Sequence, residues 1–141
     1  MRYLQTILLT AVVCLGGSMT VWASDIKIIA NATVSASSVS ADELKGVFLL
    51  TKTLLSDGSH VEPVLVKSGT VHAAFLKDYV GKTDSALETY YRSLVFTGKA
   101  SMPKILSSDA EVAAYVARTK GAIGYVGAGA AVAGVKILEV K

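Results

Sequence analysis

The sequence predicts an α/β fold in which helices pack on a mostly parallel or mixed β-sheet. Two observations predict it. Short apolar runs with strand character are separated by longer segments whose apolar residues recur at helical spacing. Gly, Ser and Pro stand at the boundaries between these segments, where turns are expected. Strands that alternate with helices along one chain favour a layered α/β arrangement, and one domain is predicted.

Residues 1–23 are predicted to form a signal peptide and to lie outside the folded domain. Arg2 provides a positive start, an apolar run follows to Gly17, and Val21-Trp22-Ala23 offers small residues where signal peptidase cleaves. A transmembrane anchor is the alternative, but the run is short and is interrupted by glycine. The sequence therefore predicts a periplasmic or secreted protein with no membrane insertion after signal removal.

Composition narrows the classes of function further. The chain has 141 residues and a formal net charge of +3, and its charges are interspersed, so no nucleic-acid partner is expected. The single cysteine, Cys14, falls in the predicted signal peptide, and lipidation there is disfavoured because Val13 replaces a small residue. An exported domain without disulfides must be stabilised by its apolar core.

The predicted elements of the first half alternate between strand and helix. A Ser-x-x-Glu capping box marks the first helix start, and Gly58 suits a tight turn. In chain order we predict a strand at Ile26–Ala30, a surface connection over 31–39, a helix opened by Ser40 and Glu43 with Leu44, Val47 and Phe48 inward, a turn at Ser56–Ser59, and a strand at Val61–Val66.

The second half is predicted to contain three helices and two strands. A second Ser-x-x-Glu pair opens the last helix, and glycines suit two helix ends. In chain order we predict a helix from Thr70 that ends at Gly81, a helix with Leu87, Tyr90, Tyr91, Leu94 and Val95 on one face, a break at Gly98 and Pro103, a helix from Ser108 to Gly121 with Val112, Tyr115 and Val116 inward, and strands at Ala122–Val126 and Val135–Val140.

No enzymatic site is predicted. Ser68, His72 and Asp78 would be the residues of a catalytic triad, but the nucleophile elbow of G-x-S-x-G type is missing. His72 is instead predicted to pack in the core with local hydrogen-bond partners. The glycine-rich run after Gly121 lacks the third glycine of a dinucleotide fingerprint, since Val132 occupies that position. We therefore predict no catalytic residues, no metal and no cofactor.

Residues Lys67-Ser68-Gly69-Thr70 form the candidate ligand site. They lie between a predicted strand and the start of a predicted helix, where free N–H groups and a partial positive charge attract anions. Hydroxyls on Ser68 and Thr70 would add hydrogen bonds, Gly69 would allow close approach, and Lys67 would add charge. The alternative is that Ser68 or Thr70 is simply the N-cap of the helix.

Four runs of the chain resemble the periplasmic phosphate-binding proteins of bacterial phosphate ABC transporters. The run from Ser40 to Val64 is similar to that family's L-x-x-IFLGK-x-x-W-x-DG segment, and Ser68-Gly69-Thr70 resembles the end of its phosphate-binding R-x-DGSGT loop. VFTGK, from Val95, and RTKGAIGYV, from Arg118, resemble its FTGKG and TPGAIGYV runs. The resemblance implies a half-length, type 2 periplasmic binding protein-like domain at 24–141, with a mixed sheet flanked by helices.

The resemblance also implies a function, with one alternative left open. In the family's register, its arginine falls on Val64, its aspartate on Val66 and its first glycine on Lys67. The first hypothesis is an exported, non-enzymatic solute-binding domain for phosphate or another small oxyanion at Ser68, Gly69, Thr70 and Lys67. A homodimer or an envelope protein would supply the missing second wall. The alternative is a ligand-free interaction module for an envelope partner, which the two valines favour.

Overall fold

The structure is a computed structural model and describes residues 26–141. The predicted signal peptide at 1–23 and Cys14 therefore lie outside the described residues. The elements are β1 (Ile26–Ala30), β2 (Ser38–Val39), α1 (Ala41–Phe48), β3 (Glu62–Val66), α2 (Thr70–Phe75) continued by a π-helical turn (Leu76–Val80), α3 (Asp84–Phe96), β4 (Lys104–Leu106), α4 (Asp109–Arg118), β5 (Ala122–Gly127) and β6 (Lys136–Val140).

The strands form one mixed sheet in the order β2-β6-β1-β5-β3-β4. Strand β1 is antiparallel to both neighbours, with Ile28 opposite Tyr125 of β5 and Leu138 of β6. Strand β3 is parallel to β5 and to the edge strand β4. The expectation of a mostly parallel or mixed sheet is confirmed in its mixed form.

Helices cover both faces of the sheet, and β5 shows how the faces are divided. A Cβ on Gly124 would lie 3.0 Å from Cγ1 of Val112, so this face of β5 is closely covered by α4. The next side chain, Tyr125, points to the other face because side chains alternate along a strand. There its ring stacks on Phe75 of α2 with centroids 3.8 Å apart and meets Phe48 of α1 edge-on.

Most predicted element starts and ends are confirmed by their local geometry. Ser40 and Glu43 form a complete capping box, in which each side chain accepts from the other residue's N–H at 3.0 Å. Gly81 ends the π-helical turn in the left-handed conformation with φ of 75°. Gly58 takes a φ of 88° in the predicted turn. These signals are local, which is why the sequence carries them.

Three features were not predicted. Strand β2 lies in the segment expected to be a surface connection, and β4 lies just after the predicted break. Both are edge strands of two or three residues, too short to show an apolar period. The expected surface connection also begins with a buried residue, because the Asn31 amide donates to the carbonyls of Val116 and Ala117 at 2.7 and 3.1 Å.

Two helix predictions need correction. In α3 only Leu87 and Tyr91 of the expected apolar stripe are buried, while Val95 is 44% exposed. In α4 the Ser108 hydroxyl caps the helix, but the Glu111 carboxylate accepts from Ser107 instead of closing the box on Ser108.

The end of α4 also differs from the prediction. The C-cap is Thr119, so Gly121 follows the helix by one residue more than expected. Gly121 keeps a φ of +74°, and a Cβ there would lie 2.8 Å from the carbonyl oxygen of His60. The glycine is therefore required by the turn into β5 and by this close approach, and not by the helix cap.

Candidate functional site

The segment 67–70 joins the end of β3 to the start of α2, and all four residues are exposed. The Lys67 N–H donates to the carbonyl of Leu106 at 2.7 Å, which anchors the segment to β4. The segment thus follows the carboxyl end of a strand within the parallel part of the sheet. Ligands of open α/β sheets bind at this edge.

The N-cap of α2 is Gly69, and no side chain hydrogen bonds to the start of the helix. Gly69 has φ of 117°, which glycine adopts far more readily than other residues. The expectation that Ser68 or Thr70 caps the helix is therefore wrong. The cap position falls on the residue without a side chain, and both hydroxyls remain available for other partners.

The first N–H groups of α2 are also uncommitted. The first bond across the helix start runs from the N–H of Ala73 to the carbonyl of Gly69, at 3.0 Å. Within residues 26–141, no protein acceptor takes the N–H groups of Thr70, Val71 or His72. Helical structure continues through the π-helical turn to Val80, so these groups lie at the positive end of an extended helical segment.

The four predicted residues do not share one cavity. Ser68 and Gly69 line a cavity of about 610 Å³ together with Lys77 and Lys82, which sequence reasoning did not select. Lys67 lines a different cavity, of about 510 Å³, and Thr70 lines neither. The structure therefore brings together two of the predicted residues and adds two cations, Lys77 from the π-helical turn and Lys82 from the segment after it.

His72 is buried at 4% exposure and has partners on both ring nitrogens. Its Nε2 lies 2.9 Å from Oδ1 of Asp84, and its Nδ1 hydrogen bonds to the hydroxyl of Tyr125. The expectation of a packed histidine is confirmed. No triad of Ser68, His72 and Asp78 forms, because Asp84 is the carboxylate on His72 and Tyr125 occupies the other nitrogen.

Tyr125 connects this histidine to the sheet. Its hydroxyl accepts from the N–H of Val66 at 3.2 Å, and burial raises the pKa of the Tyr125 hydroxyl above its usual range. Sequence reasoning missed both Tyr125 and Asp84. One signal was present: a histidine on a buried helix face needs two polar partners, and Tyr125 interrupts an otherwise apolar strand.

Strand β3 contributes only hydrocarbon next to the candidate site. Val64 and Val66 are 1% and 4% exposed, so both side chains belong to the core. Any positive charge at the site must therefore come from the helix start and from lysines. Within residues 26–141 there is no group of three or more His, Cys, Asp or Glu side chains able to hold a metal ion. None of the helices described is long and apolar enough to cross a bilayer.

Solved structures of phosphate-transport proteins are similar to this fold. A putative phosphate ABC transporter substrate-binding protein with bound phosphate from Clostridium perfringens matches with a TM-score of 0.63 and 16% identity, over 82% of this chain and 44% of that chain. PstS from Borrelia burgdorferi matches with a TM-score of 0.62 and 14% identity, over 83% and 47%. An ABC-type phosphate transport receptor from Vibrio cholerae matches with a TM-score of 0.54 and 13% identity, over 82% and 46%.

No protein-family model matches the sequence, and no curated protein matches it significantly. The chain spans less than half the length of each solved structure above. At these identities the similarity concerns the fold, and it confirms the expectation drawn from the sequence. The described residues share an α/β fold of the type 2 periplasmic binding protein-like kind with part of each of these solved structures.

Proposed function

We propose that the protein is an exported, non-enzymatic solute-binding domain that binds a small oxyanion, with phosphate as the first candidate, at the start of α2. One observation carries the proposal: the helix start at Gly69 has no side-chain cap and leaves its N–H groups free beside a cavity. The fold supports it, because the similar solved proteins are described as phosphate transport proteins, one of them with phosphate bound.

Each residue of the site has a distinct role in this proposal. The N–H groups of Thr70, Val71 and His72 donate to the anion, and the Ser68 and Thr70 hydroxyls add donors. Gly69 lets an oxygen approach the backbone, since nothing lies within 4 Å of where its Cβ would be. Lys67 provides long-range attraction from the neighbouring cavity.

The site is open to water on one side, and a second wall would strengthen it. Hydrogen bonds to an anion gain strength when water is excluded from around them. We propose that a second copy of the chain or an envelope protein covers the cavity, because Ser68, Gly69 and Thr70 are all exposed.

The alternative function is an interaction module without a small ligand. The buried valines at 64 and 66 favour it, because they leave β3 without a polar group for an anion. This function also requires export, but it predicts no saturable binding of phosphate. The two proposals are therefore separated by one titration.

The test is calorimetric titration of inorganic phosphate into purified protein that has been unfolded and refolded to remove carried ligand. Saturable heat supports the oxyanion site, and one phosphate per two chains identifies a dimer that completes the cavity. No heat up to millimolar phosphate, from protein shown to be folded, rejects phosphate binding and leaves the interaction module. Export is tested separately by N-terminal sequencing of the secreted form, which should begin at Ser24.

A further inference from the structure

A third cavity lies on the other side of Met102 and Ile105 from the cavity of Lys67, since both cavities are lined by these two residues. Its volume is about 720 Å³, and it shares no lining residue with the cavity of Ser68 and Gly69. It is bounded by the chain that follows α1, by the start of β3, by the segment that leads into β4 and by one side chain of α4. We call it the β4 cavity.

The β4 cavity is lined by apolar side chains, by polar side chains and by three lysines. Lys52, Lys99 and Lys104 line it, all exposed, and the acidic residue among the lining is Glu62. The apolar lining includes Met102 and Ile105, which remain 45% and 40% exposed. Exposed apolar side chains next to lysines are typical of a surface that binds an amphipathic partner.

The cations at this cavity lack carboxylate partners. Lys104 Nζ lies 5.7 Å from the centre of the Tyr115 ring, and Arg118 Cζ lies 5.6 Å from the same centre. Over residues 26–141 the salt bridges are His72–Asp84 and Arg92–Glu88, so no carboxylate lies within 4.0 Å of these cations. Two like charges that share one aromatic ring repel each other, and an anion bound beside Lys104 in the cavity would offset part of that repulsion.

We infer that the β4 cavity binds an organic anion with an apolar body, such as a medium-chain carboxylate. Its volume lies within the range of small-molecule pockets, which are mostly apolar with a few polar groups that fix orientation. Lys52, Lys99 and Lys104 would bind the charged head. Met102, Ile105 and the Tyr115 ring would contact the hydrocarbon tail. Inorganic phosphate could bind the cations but has no hydrocarbon to contact the apolar side chains.

The experiment is a titration of the isotope-labelled purified protein with octanoate, followed by amide chemical shifts in NMR spectra. We expect saturable shifts centred on Ala100, Met102 and Tyr115. 1-Octanol serves as the neutral probe with the same tail, and it should bind at least about tenfold more weakly because the cations contribute nothing to it. This comparison needs no variant, so it does not depend on the folding of one.

A charge variant then tests the lysines. The triple substitution Lys52→Gln, Lys99→Gln and Lys104→Gln should weaken octanoate binding about tenfold or more. The matched control carries the same charge change at Lys27→Gln, Lys45→Gln and Lys141→Gln and should bind as the wild type. The inference is overturned if octanoate gives no saturable shifts up to millimolar concentration, or if the shifts centre on another surface. It is also overturned if octanol binds with the same affinity as octanoate, or if the Lys52, Lys99 and Lys104 variant binds octanoate with the affinity of the wild type.

Discussion

The Nε2 of His72 lies 2.9 Å from Oδ1 of Asp84, and this pair joins the first turn of α2 to the first residue of α3. An Nε2–H that donates to the carboxylate leaves Nδ1 as an acceptor for the Tyr125 hydroxyl. The tyrosine oxygen in turn accepts from the N–H of Val66. A single chain of hydrogen bonds therefore runs from an exposed carboxylate to the buried strand β3.

Substitution Tyr125→Phe should destabilise the protein by about 1–3 kcal/mol, because it leaves buried groups of His72 and Val66 without a partner. Urea unfolding followed by circular dichroism measures the change. Tyr79→Phe is the matched control, since the Tyr79 ring also packs on Phe75 but its hydroxyl makes no hydrogen bond within residues 26–141. The control should change stability by less than about 0.5 kcal/mol. Equal effects of the two substitutions would contradict the role given to Tyr125.

Gly69→Ala should destabilise the fold by about 1–2 kcal/mol through backbone conformation alone. Its φ is +117°, while a Cβ there would meet no atom within 4 Å, so steric overlap is not involved. Gly129→Ala is the control, because Gly129 is equally open and does not have positive φ. Thermal unfolding of both variants checks this expectation. A Gly69→Ala variant as stable as Gly129→Ala would show that the helix start adopts another conformation.

The double substitution Ser68→Ala and Thr70→Ala should weaken phosphate binding with little effect on stability. Neither hydroxyl caps α2, so the loss of about 1 kcal/mol expected for a cap residue should not occur. Calorimetric titration and urea unfolding of the same variant give both quantities. Ser101→Ala is the control for the removal of an exposed hydroxyl. A stability loss without a change in affinity would assign these residues to the helix start alone.

Stability should fall in acid, and Glu43 should contribute to this fall. The backbone N–H of Ser40, followed by hydrogen bonds from Ser56, lowers the pKa of Glu43 from 4.5 to about 2. A lowered folded-state pKa stabilises the protein above the unfolded-state value, and this contribution is lost as the pH falls from 4.5 towards 2. Glu43→Gln should therefore be less stable than the wild type at neutral pH and should show a smaller loss of stability over that range.

The control for this pH dependence is Glu88→Gln, which removes a carboxylate that pairs with Arg92 on the exposed surface of α3. Exposed ion pairs of this kind contribute little to stability. Unfolding free energies measured at several pH values compare the three proteins. If Glu43→Gln and the wild type lose stability in parallel below pH 4.5, Glu43 does not carry the effect.

The sequence predicted the elements whose signals are local. The capping box at Ser40 and the left-handed glycine at position 81 follow from side chains and backbone freedom within a few residues. The burial of α3 was predicted less well. Its apolar residues recur at helical spacing, but the rest of the chain covers only one part of the helix, and Phe96 stays 92% exposed. Periodicity predicts an apolar face without showing what covers it.

The candidate site was predicted in part for a similar reason. The strand–loop–helix order at 67–70 is local, so its position at the end of β3 was found. The cap was assigned to a hydroxyl residue because such residues are preferred there, and the positive φ of Gly69 overrode that preference. Tyr125 was missed because tertiary packing alone brings it to His72.

The pairing of β1 with β5 and β6 has a consequence for how the chain folds. Ile28 lies opposite Tyr125 on one side and Leu138 on the other, so the centre of the sheet joins residues about a hundred positions apart. No local hairpin can nucleate this centre, and loop-closure entropy must be overcome before these contacts form. We expect refolding on the millisecond-to-second scale, with β1 entering the native structure late.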